Sequence, residues 1–162
     1  MIVLALDPGL SGGIAILDEQ TILLLADMPV HKVSRGKSVR PELDMHGLCT
    51  LLARHQVDHA VIEQVSARPG QGVTSMFRFG YAAGALYGAV AALGLPVSFV
   101  RPKAWQRFCG IGPHPDEARR RASQLYPAAA DRLSRKVDAN KAEALLIGRY
   151  GQHLLATTAV AA

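Results

Sequence analysis

Residues 2–17 read IVLALDPGLSGGIAIL, and this stretch decides the fold of the chain. An apolar run ends in Asp7, a glycine-rich segment follows, and a second apolar run begins at Ile14. Short apolar runs bounded by Pro and Gly predict buried strands joined by a turn. A third apolar run, Thr21–Leu25, follows after a few polar residues, so the first part of the chain is predicted to form an antiparallel β-meander.

Beyond the meander, predicted helices and strands alternate. The apolar spacing predicts strands over His59–Glu63 and Val97–Val100, a short helix or turn over Arg101–Cys109, and helices over Pro41–Gln56, Thr74–Leu93, Asp116–Leu125 and Asp138–Tyr150. The polar, basic segment Pro29–Arg40 is predicted to be a mobile loop. A meander followed by alternating helices and strands predicts an α/β fold with a mixed sheet and helices on both faces.

The composition favours a single folded domain with an anionic partner. The chain has 162 residues, and the 49% that are hydrophobic suffice for a full core and argue against disorder. Its formal net charge of +5 favours partners such as nucleic acid, although many mildly basic proteins have no such partner. We expect the domain to span residues 1–151 and residues 152–162 to form a flexible tail.

The cysteines and the apolar segments predict a cytoplasmic protein. Cys49 and Cys109 form neither a CxxC motif nor a disulfide framework, which favours a reducing compartment. The first residues lack the basic stretch of a signal peptide. The longest apolar stretch, residues 81–100, is interrupted by glycine and proline and is not expected to span a membrane.

Acidic residues at the ends of predicted strands are the main candidates for a functional site. Asp7 and Glu63 each end an apolar strand, and neighbouring strands would bring them to one edge of the sheet. Each acid taken alone could instead cap a turn or pair with an arginine. Taken together, two close carboxylates repel each other unless a cation lies between them, and oxygen ligands suit Mg²⁺ or Mn²⁺.

The start of the last helix offers three more polar side chains, Asp138, Asn140 and Glu143. Asn140 and Glu143 are three positions apart and share a helix face, whereas Asp138 lies at the first turn. Asp138 could be only an N-cap and Glu143 only a surface residue. The neighbouring residues are mostly apolar, however, so a glutamate near the start of this buried helix is expected to face something specific.

The basic residues fall into three groups. They lie in the early loop, near Arg101–Arg107, and in the later segment Arg119–Lys136. A run of charge is usually a solvated face, and most of the accompanying aromatic residues are expected to pack in the core, although stacking on bases is also possible. The histidines show no zinc-ligand spacing, and no nucleophile triad can be argued from the sequence.

These motifs together resemble the RuvC-like Holliday-junction resolvases of the ribonuclease H-like superfamily. The resemblance rests on residues 4–9 (LALDPG) with Gly13, on residues 62–65 (IEQV), and on residues 141–147 (KAEALLI). Residues 69–72 (PGQG) and 100–105 (VRPKAW) are similar to the phage and prophage branch of that family. The match covers residues 2 to about 151 in the family's order.

The resemblance implies a metal-dependent endonuclease that cuts branched DNA, in particular four-way junctions, as a homodimer. Asp7 and Glu63 match the first two metal-binding acids, and Glu143 takes the place of the last one. The bacterial enzymes have an aspartate where this chain has Asn140. Asp138, five positions before Glu143, matches the phage-like pattern better, and this resemblance implies that it is the fourth ligand. The four acids are predicted to bind two Mg²⁺ ions, for which Mn²⁺ may substitute, for two-metal hydrolysis.

The resemblance also assigns roles to the basic residues and to the long middle helix. Helix Thr74–Leu93, which is rich in small residues, is predicted to form the dimer contact, and loop Ser66–Gly72 is predicted to lie near the junction centre. A two-fold dimer would present two sites for paired cuts in a nearly two-fold-symmetric junction. The predicted DNA-binding residues are Arg68, Arg78, Lys103, Arg107, Arg119 and Arg120.

Three other functions remain open at this point. A nuclease of the same fold that acts on flaps or RNA–DNA hybrids would need the same acids. A non-catalytic DNA-binding module is supported by Asn140, which replaces an acid of the family. A sugar-kinase-like phosphotransferase also begins with Asp-x-Gly, but 162 residues are too few for its usual two lobes.

Overall fold

A five-stranded mixed sheet forms the centre of the protein, in a computed structural model that describes residues 1–36, 38–67 and 70–160. Its strands are β1 (Ile2–Asp7), β2 (Gly13–Asp18), β3 (Thr21–Asp27), β6 (His59–Glu63) and β7 (Val97–Val100), in the spatial order β3-β2-β1-β6-β7. Strands β1 to β3 are antiparallel, whereas β6 and β7 continue the sheet in parallel with β1. The predicted mixed α/β sheet is confirmed.

The remaining strands and the helices surround this sheet. The remaining elements are β4 (Val30–Arg35), β5 (Ser38–Leu43), α1 (Met45–Leu52), α2 (Val73–Ala92), α3 (Pro102–Cys109), α4 (Glu117–Leu125) and α5 (Ala139–Val160). Two 3₁₀ segments, Pro127–Leu133 and Lys136–Asp138, connect α4 to α5. Within the described ranges, no helix is both long and apolar enough to cross a membrane.

The sheet is buried on both faces, which explains its nearly continuous apolar strands. Along β1, Val3 and Ala5 pack in a core with α3, α4 and α5. Leu4 and Leu6 alternate with them and pack in a second core with α1 and α2. All four side chains are fully buried. This two-layer burial fixes the register of β1 and, through it, the position of the acid at its end.

The segment predicted to be a mobile loop, Pro29–Arg40, is mostly a β-hairpin. Strands β4 and β5 pair antiparallel around a turn at Gly36, whose φ of +63° suits glycine. In β5, Val39, Pro41 and Leu43 alternate with polar residues, a strand pattern that the high charge of the segment obscured. The helix predicted from Pro41 begins only at Met45, after Asp44 caps it by accepting a hydrogen bond from the Gly47 backbone N–H at 2.8 Å.

The last helix also differs from the prediction at both ends. It begins at Ala139, because Asp138 belongs to the preceding 3₁₀ segment. It continues to Val160, ten residues beyond the expected end at Tyr150, and so crosses the predicted boundary between domain and flexible tail at residue 151. Residues 154–156 are Leu, Leu and Ala, which have high helix propensity, and the helix therefore continues through the segment that was predicted to be a flexible tail.

Two glycines allow the close contacts at the end of β1. A Cβ atom at Gly12 would overlap the backbone carbonyl of Asp7, and a Cβ atom at Gly13 would overlap the backbone carbonyl of Asn140 in α5. The absence of a side chain at Gly13 therefore lets the first turn of α5 lie directly on β2, one strand away from Asp7.

Substituting Gly13 by alanine should destabilise the protein by roughly 1–3 kcal/mol, because the added methyl group forces the start of α5 away from the sheet. The measurement is the free energy of unfolding in urea. Gly72→Ala is the matched control, since Gly72 has a negative φ and open space around it. Equal stability of Gly13→Ala and wild type would contradict the close packing described here.

Candidate active site

Three acidic side chains lie within electrostatic reach of one another at one edge of the sheet. Leu6 of β1 pairs with Ile62 of β6 in parallel register, so the next residues along the two strands, Asp7 and Glu63, lie side by side. Helix α5 packs against β1 and β2 and brings Glu143 to the same edge. The structure therefore brings together three of the four predicted ligands, from two adjacent strands and one helix.

Burial and mutual repulsion perturb these acids. Asp7 is only 7% exposed, and burial raises its pKa well above the usual value, with further contributions from the charges of Glu143 and Glu63. The pKa of Glu143 is raised in the same direction, first by burial and then by Glu63. Each acid is therefore within electrostatic reach of the others, and the site as it stands carries more negative charge than the fold favours.

A pocket of about 240 Å³ opens beside Glu63. It is lined by the end of β6 and the residues that follow it, by one residue of α2 and by the first residue of α3. These residues are Glu63, Gln64, Val65, Ser66, Gln71, Phe79 and Pro102. On its other side, the carboxylate of Glu63 accepts a hydrogen bond from the indole N–H of Trp105, with 2.7 Å between Nε1 and Oε1. Glu63 thus lies between the protein core and an open polar cleft.

The chemistry of these donors fits a hard divalent cation. Carboxylate oxygens are the ligands that Mg²⁺ and Mn²⁺ prefer, and a cation would offset the repulsion that raises the pKa of Asp7. In the part of the chain that the structure describes, no three His, Cys, Asp or Glu side chains are already close enough to hold an ion. The acids therefore influence one another's pKa across distances too long for a shared ion, and ion binding would draw their oxygens closer together.

Asp138 does not join this group, although it was predicted to be the fourth ligand. Its carboxylate pairs with Arg135 at 2.9 Å and with Lys141 at 2.8 Å, and it accepts a further hydrogen bond from the backbone N–H of Arg135. Lys141 in turn reaches Asp27 at the end of β3, at 3.4 Å. The hydrogen bonds from Arg135 and Lys141 hold the pKa of Asp138 well below its usual range.

Asp138 is therefore part of an ion-pair network that fastens the start of α5. The sequence contained the signal for this role, because Arg135 and Lys141 stand three positions before and after Asp138, a spacing that brings charges together in helical turns. Asn140 is also occupied, since its side-chain amide donates a hydrogen bond to the backbone carbonyl of Ser11. It ties α5 to the glycine-rich turn after Asp7.

Two of the predicted DNA-binding arginines, Arg119 and Arg120, have partners within the protein. Arg119 donates hydrogen bonds to the backbone carbonyls of Leu133 and Ser134 and pairs with Asp116 at 2.5 Å. Arg120 is mostly exposed and pairs with Glu117 at 3.1 Å. Arg119 therefore links α4 to the segment between α4 and α5, and few of its N–H groups remain available to contact DNA.

The other predicted DNA contacts are placed differently. Lys103 and Arg107 are exposed on α3, opposite the buried Trp105 and Cys109. Arg78 in α2 is partly buried and donates a hydrogen bond to the carbonyl of Pro41 at 3.4 Å. Arg68 lies outside the described residues. Lys103 and Arg107 thus lie on the helix whose first residue, Pro102, lines the pocket beside Glu63.

Asp7→Asn should raise the melting temperature in EDTA at pH 7 by at least about 2 °C, because the neutral amide removes a buried charge that two other acids repel. The measurement is thermal unfolding with and without Mg²⁺. Added Mg²⁺ should stabilise wild type more than the variant. Asp131→Asn, at an exposed position, is the control. A lower melting temperature for Asp7→Asn in EDTA would contradict the described repulsion.

Asp138→Asn should lower the free energy of unfolding at pH 7 by about 1–3 kcal/mol, because it breaks charge-assisted hydrogen bonds to Arg135 and Lys141. Since the pKa of Asp138 is depressed in the folded state, its contribution is fully present above the unfolded value near 4 and disappears as the pH falls through the folded value. Urea titrations between pH 7 and pH 2 should therefore show the two proteins converging in acid. A constant difference would argue against this network.

Comparisons with known proteins support the fold assignment. No protein-family model matches the sequence, and no curated protein matches it. Among solved structures, T. thermophilus RuvC in complex with a Holliday junction substrate matches with a TM-score of 0.63 and 15% identity, over 92% of this chain and 90% of that chain. A second Thermus thermophilus RuvC structure matches with a TM-score of 0.57 and 18% identity, over 94% of this chain and 96% of that one. At these identities the likeness concerns architecture, and it confirms the predicted RuvC-like fold over nearly the whole chain.

Proposed function

We propose that this protein is a divalent-metal-dependent endonuclease that cuts branched DNA, with four-way junctions as its substrate. The observation that carries the proposal is the convergence of Asp7, Glu63 and Glu143 at one edge of the sheet. Its support from outside the chain is the shared fold with a RuvC protein whose structure contains a Holliday junction substrate. The chain has a net charge of +5, which favours binding of a polyanion such as DNA despite the local cluster of acids.

Asp7, Glu63 and Glu143 would hold the divalent cations. When bound, Mg²⁺ or Mn²⁺ supplies a nucleophilic water at neutral pH and charge compensation for the leaving oxygen of a phosphodiester. The protein itself contributes the orientation of its three carboxylates, which come from rigid elements rather than loops. The fold also keeps the side chain of Asp7, at the end of β1, almost completely buried.

DNA binding is assigned mainly to α3 and to the polar pocket beside Glu63. Lys103 and Arg107 are exposed four positions apart on one face of α3, and their charges would contact phosphates on either side of the cleaved bond. Arg78 and Arg120 would make outer phosphate contacts. Arg119 remains a weaker candidate, because backbone carbonyls and Asp116 occupy its guanidinium group.

Dimerisation is assigned to one exposed face of α2. Phe77 and Tyr81 are 73% and 71% exposed there, an unusual state for large aromatic side chains. Gly80, Gly84 and Gly88 continue the same face and have open space where a Cβ atom would stand. A second copy of the helix could therefore approach closely, and the resulting two-fold dimer would match the near-symmetry of a four-way junction. A cytoplasmic location and a phage or prophage origin remain predictions.

A non-catalytic DNA-binding module is the second candidate function. It is favoured by one specific observation: among the described residues, the two candidates for a fourth ligand have other partners, since Asp138 pairs with Arg135 and Lys141 and Asn140 is bonded to Ser11. Such a module would bind junctions without cutting them. In such a module the three acids would have no catalytic role, although their mutual repulsion lowers the stability of the fold.

The decisive experiment compares cleavage of a synthetic four-way junction, a flap and an RNA–DNA hybrid in the presence of Mg²⁺. We expect symmetric paired nicks in the junction. Asp7→Asn, Glu63→Gln and Glu143→Gln should each reduce the rate at least about 100-fold, because each removes a predicted metal ligand. Asp138→Asn is the matched acid-to-amide control, and it should still cut at a temperature where it is folded.

Three outcomes would change the proposal. Binding of the junction by wild type without any cutting would favour the non-catalytic module. Preferential cutting of flaps or hybrids would keep the nuclease but replace its substrate. Complete loss of cutting in folded Asp138→Asn would restore Asp138 as a ligand and would contradict the site of three acids. Light scattering on the same preparations determines whether the protein is a dimer.

A further inference from the structure

The only tryptophan in the chain contacts the proposed active site from inside the core. Trp105 lies in α3 and is 1% exposed. Its indole N–H points at the carboxylate of Glu63, with 2.7 Å between Nε1 and Oε1. A buried indole needs a partner for its N–H, and the partner here is one of the three acids that the proposed function assigns to the metal.

The path of the chain explains how Trp105 reaches Glu63. Strand β7 is parallel to β6, and its last residue, Val100, is paired with Glu63. Helix α3 begins two residues later with Pro102 in its first turn, a position that proline favours, and it ends at Gly110 in the left-handed conformation. These fixed ends direct Trp105 towards the core side of Glu63, while Pro102 lines the pocket on the open side.

Glu63 needs such a contact because of its neighbours. The charges of Asp7 and Glu143 repel its carboxylate, and a glutamate side chain has several rotamers through which it could turn away. A hydrogen bond to a charged acceptor is among the stronger ones available in proteins. The hydrogen bond from Trp105 fixes Oε1 of Glu63. It therefore limits the orientations of the carboxylate to those in which Oε2 points away from the indole.

We propose that Trp105 is a positioning residue for the metal site: its indole N–H holds Oε1 of Glu63 so that the carboxylate stays oriented for a divalent cation. This inference rests on the proposed function, since it takes Glu63 to be a ligand. It has a second consequence, because the single tryptophan lies one hydrogen bond away from the site. The intrinsic fluorescence of the protein reports on cation binding at Glu63 without any label.

The test measures Mn²⁺ binding directly, by the loss of the electron paramagnetic resonance signal of free Mn²⁺. Trp105→Phe keeps an aromatic ring but loses the N–H donor, and it should weaken Mn²⁺ binding by about tenfold. Tyr126→Phe is the matched control, because Tyr126 is buried in the same core as Trp105 and, within the described residues, its hydroxyl donates no hydrogen bond to the acids. It should bind Mn²⁺ as wild type does. Glu63→Gln provides the loss expected when the ligand itself is changed.

Wild-type fluorescence gives a measurement that does not depend on the folding of Trp105→Phe. Paramagnetic Mn²⁺ should quench Trp105 saturably, with the same dissociation constant as the resonance titration, and Glu63→Gln should weaken both. Equal Mn²⁺ affinity in wild type and folded Trp105→Phe would overturn the positioning role and leave the proposed function intact, as would the absence of quenching while Mn²⁺ binds. No Mn²⁺ binding by wild type would overturn the metal-dependent function as well.

Discussion

The contact between the first turn of α5 and the backbone of Gly13 is the constraint on which the rest of the site depends. Because a Cβ atom at Gly13 would overlap the carbonyl of Asn140, the helix can lie this close only on a glycine. Further contacts hold it there, with Asn140 bonded to Ser11 and Lys141 bridging Asp138 and Asp27. This anchoring places Glu143 beside Asp7, so the acidic edge is created by packing rather than by attraction between the acids.

The site stores electrostatic repulsion, and the surrounding core compensates for it. Asp7 follows four residues of β1, Val3 to Leu6, that are fully buried on both faces of the sheet, and burial is the largest cause of its raised pKa. A well-packed sheet can tolerate such a residue because the apolar contacts of Val3, Leu4, Ala5 and Leu6 exceed its cost. The opposite case is Asp138, where two cations stabilise the charge of an equally buried carboxylate. Burial alone therefore does not distinguish an acid of the candidate site from an acid of an ion-pair network. The sign of the charges on the neighbouring side chains does.

Much of the fold could be predicted from the sequence because β1, β2 and β6 are short apolar runs that end at a charge or a glycine. The positions of Asp7 and Glu63 at strand ends could be predicted for the same reason, since a strand end is visible in the sequence pattern. The hairpin β4–β5 was missed because its charged residues conceal a weak alternation. Asp138 was misplaced because the start of a helix defines a residue's position only to within a turn, and one turn decides whether a side chain faces the sheet or Arg135. Trp105 was grouped with the core aromatics, and its bond to Glu63 depends on a strand register that no local pattern encodes.

The distribution of the three acids along the chain has a consequence for biosynthesis. Asp7 comes from the first strand, Glu63 from the fourth strand of the main sheet and Glu143 from the last helix, so the acidic edge requires pairings between distant parts of the sequence. Such non-local contacts form late, after the intervening chain has been made and loop-closure entropy has been overcome. A ribosome-bound chain that still lacks α5 contains strand ends but no complete set of acids. The complete set of acids therefore forms only after α5 has been synthesised and has docked on the sheet.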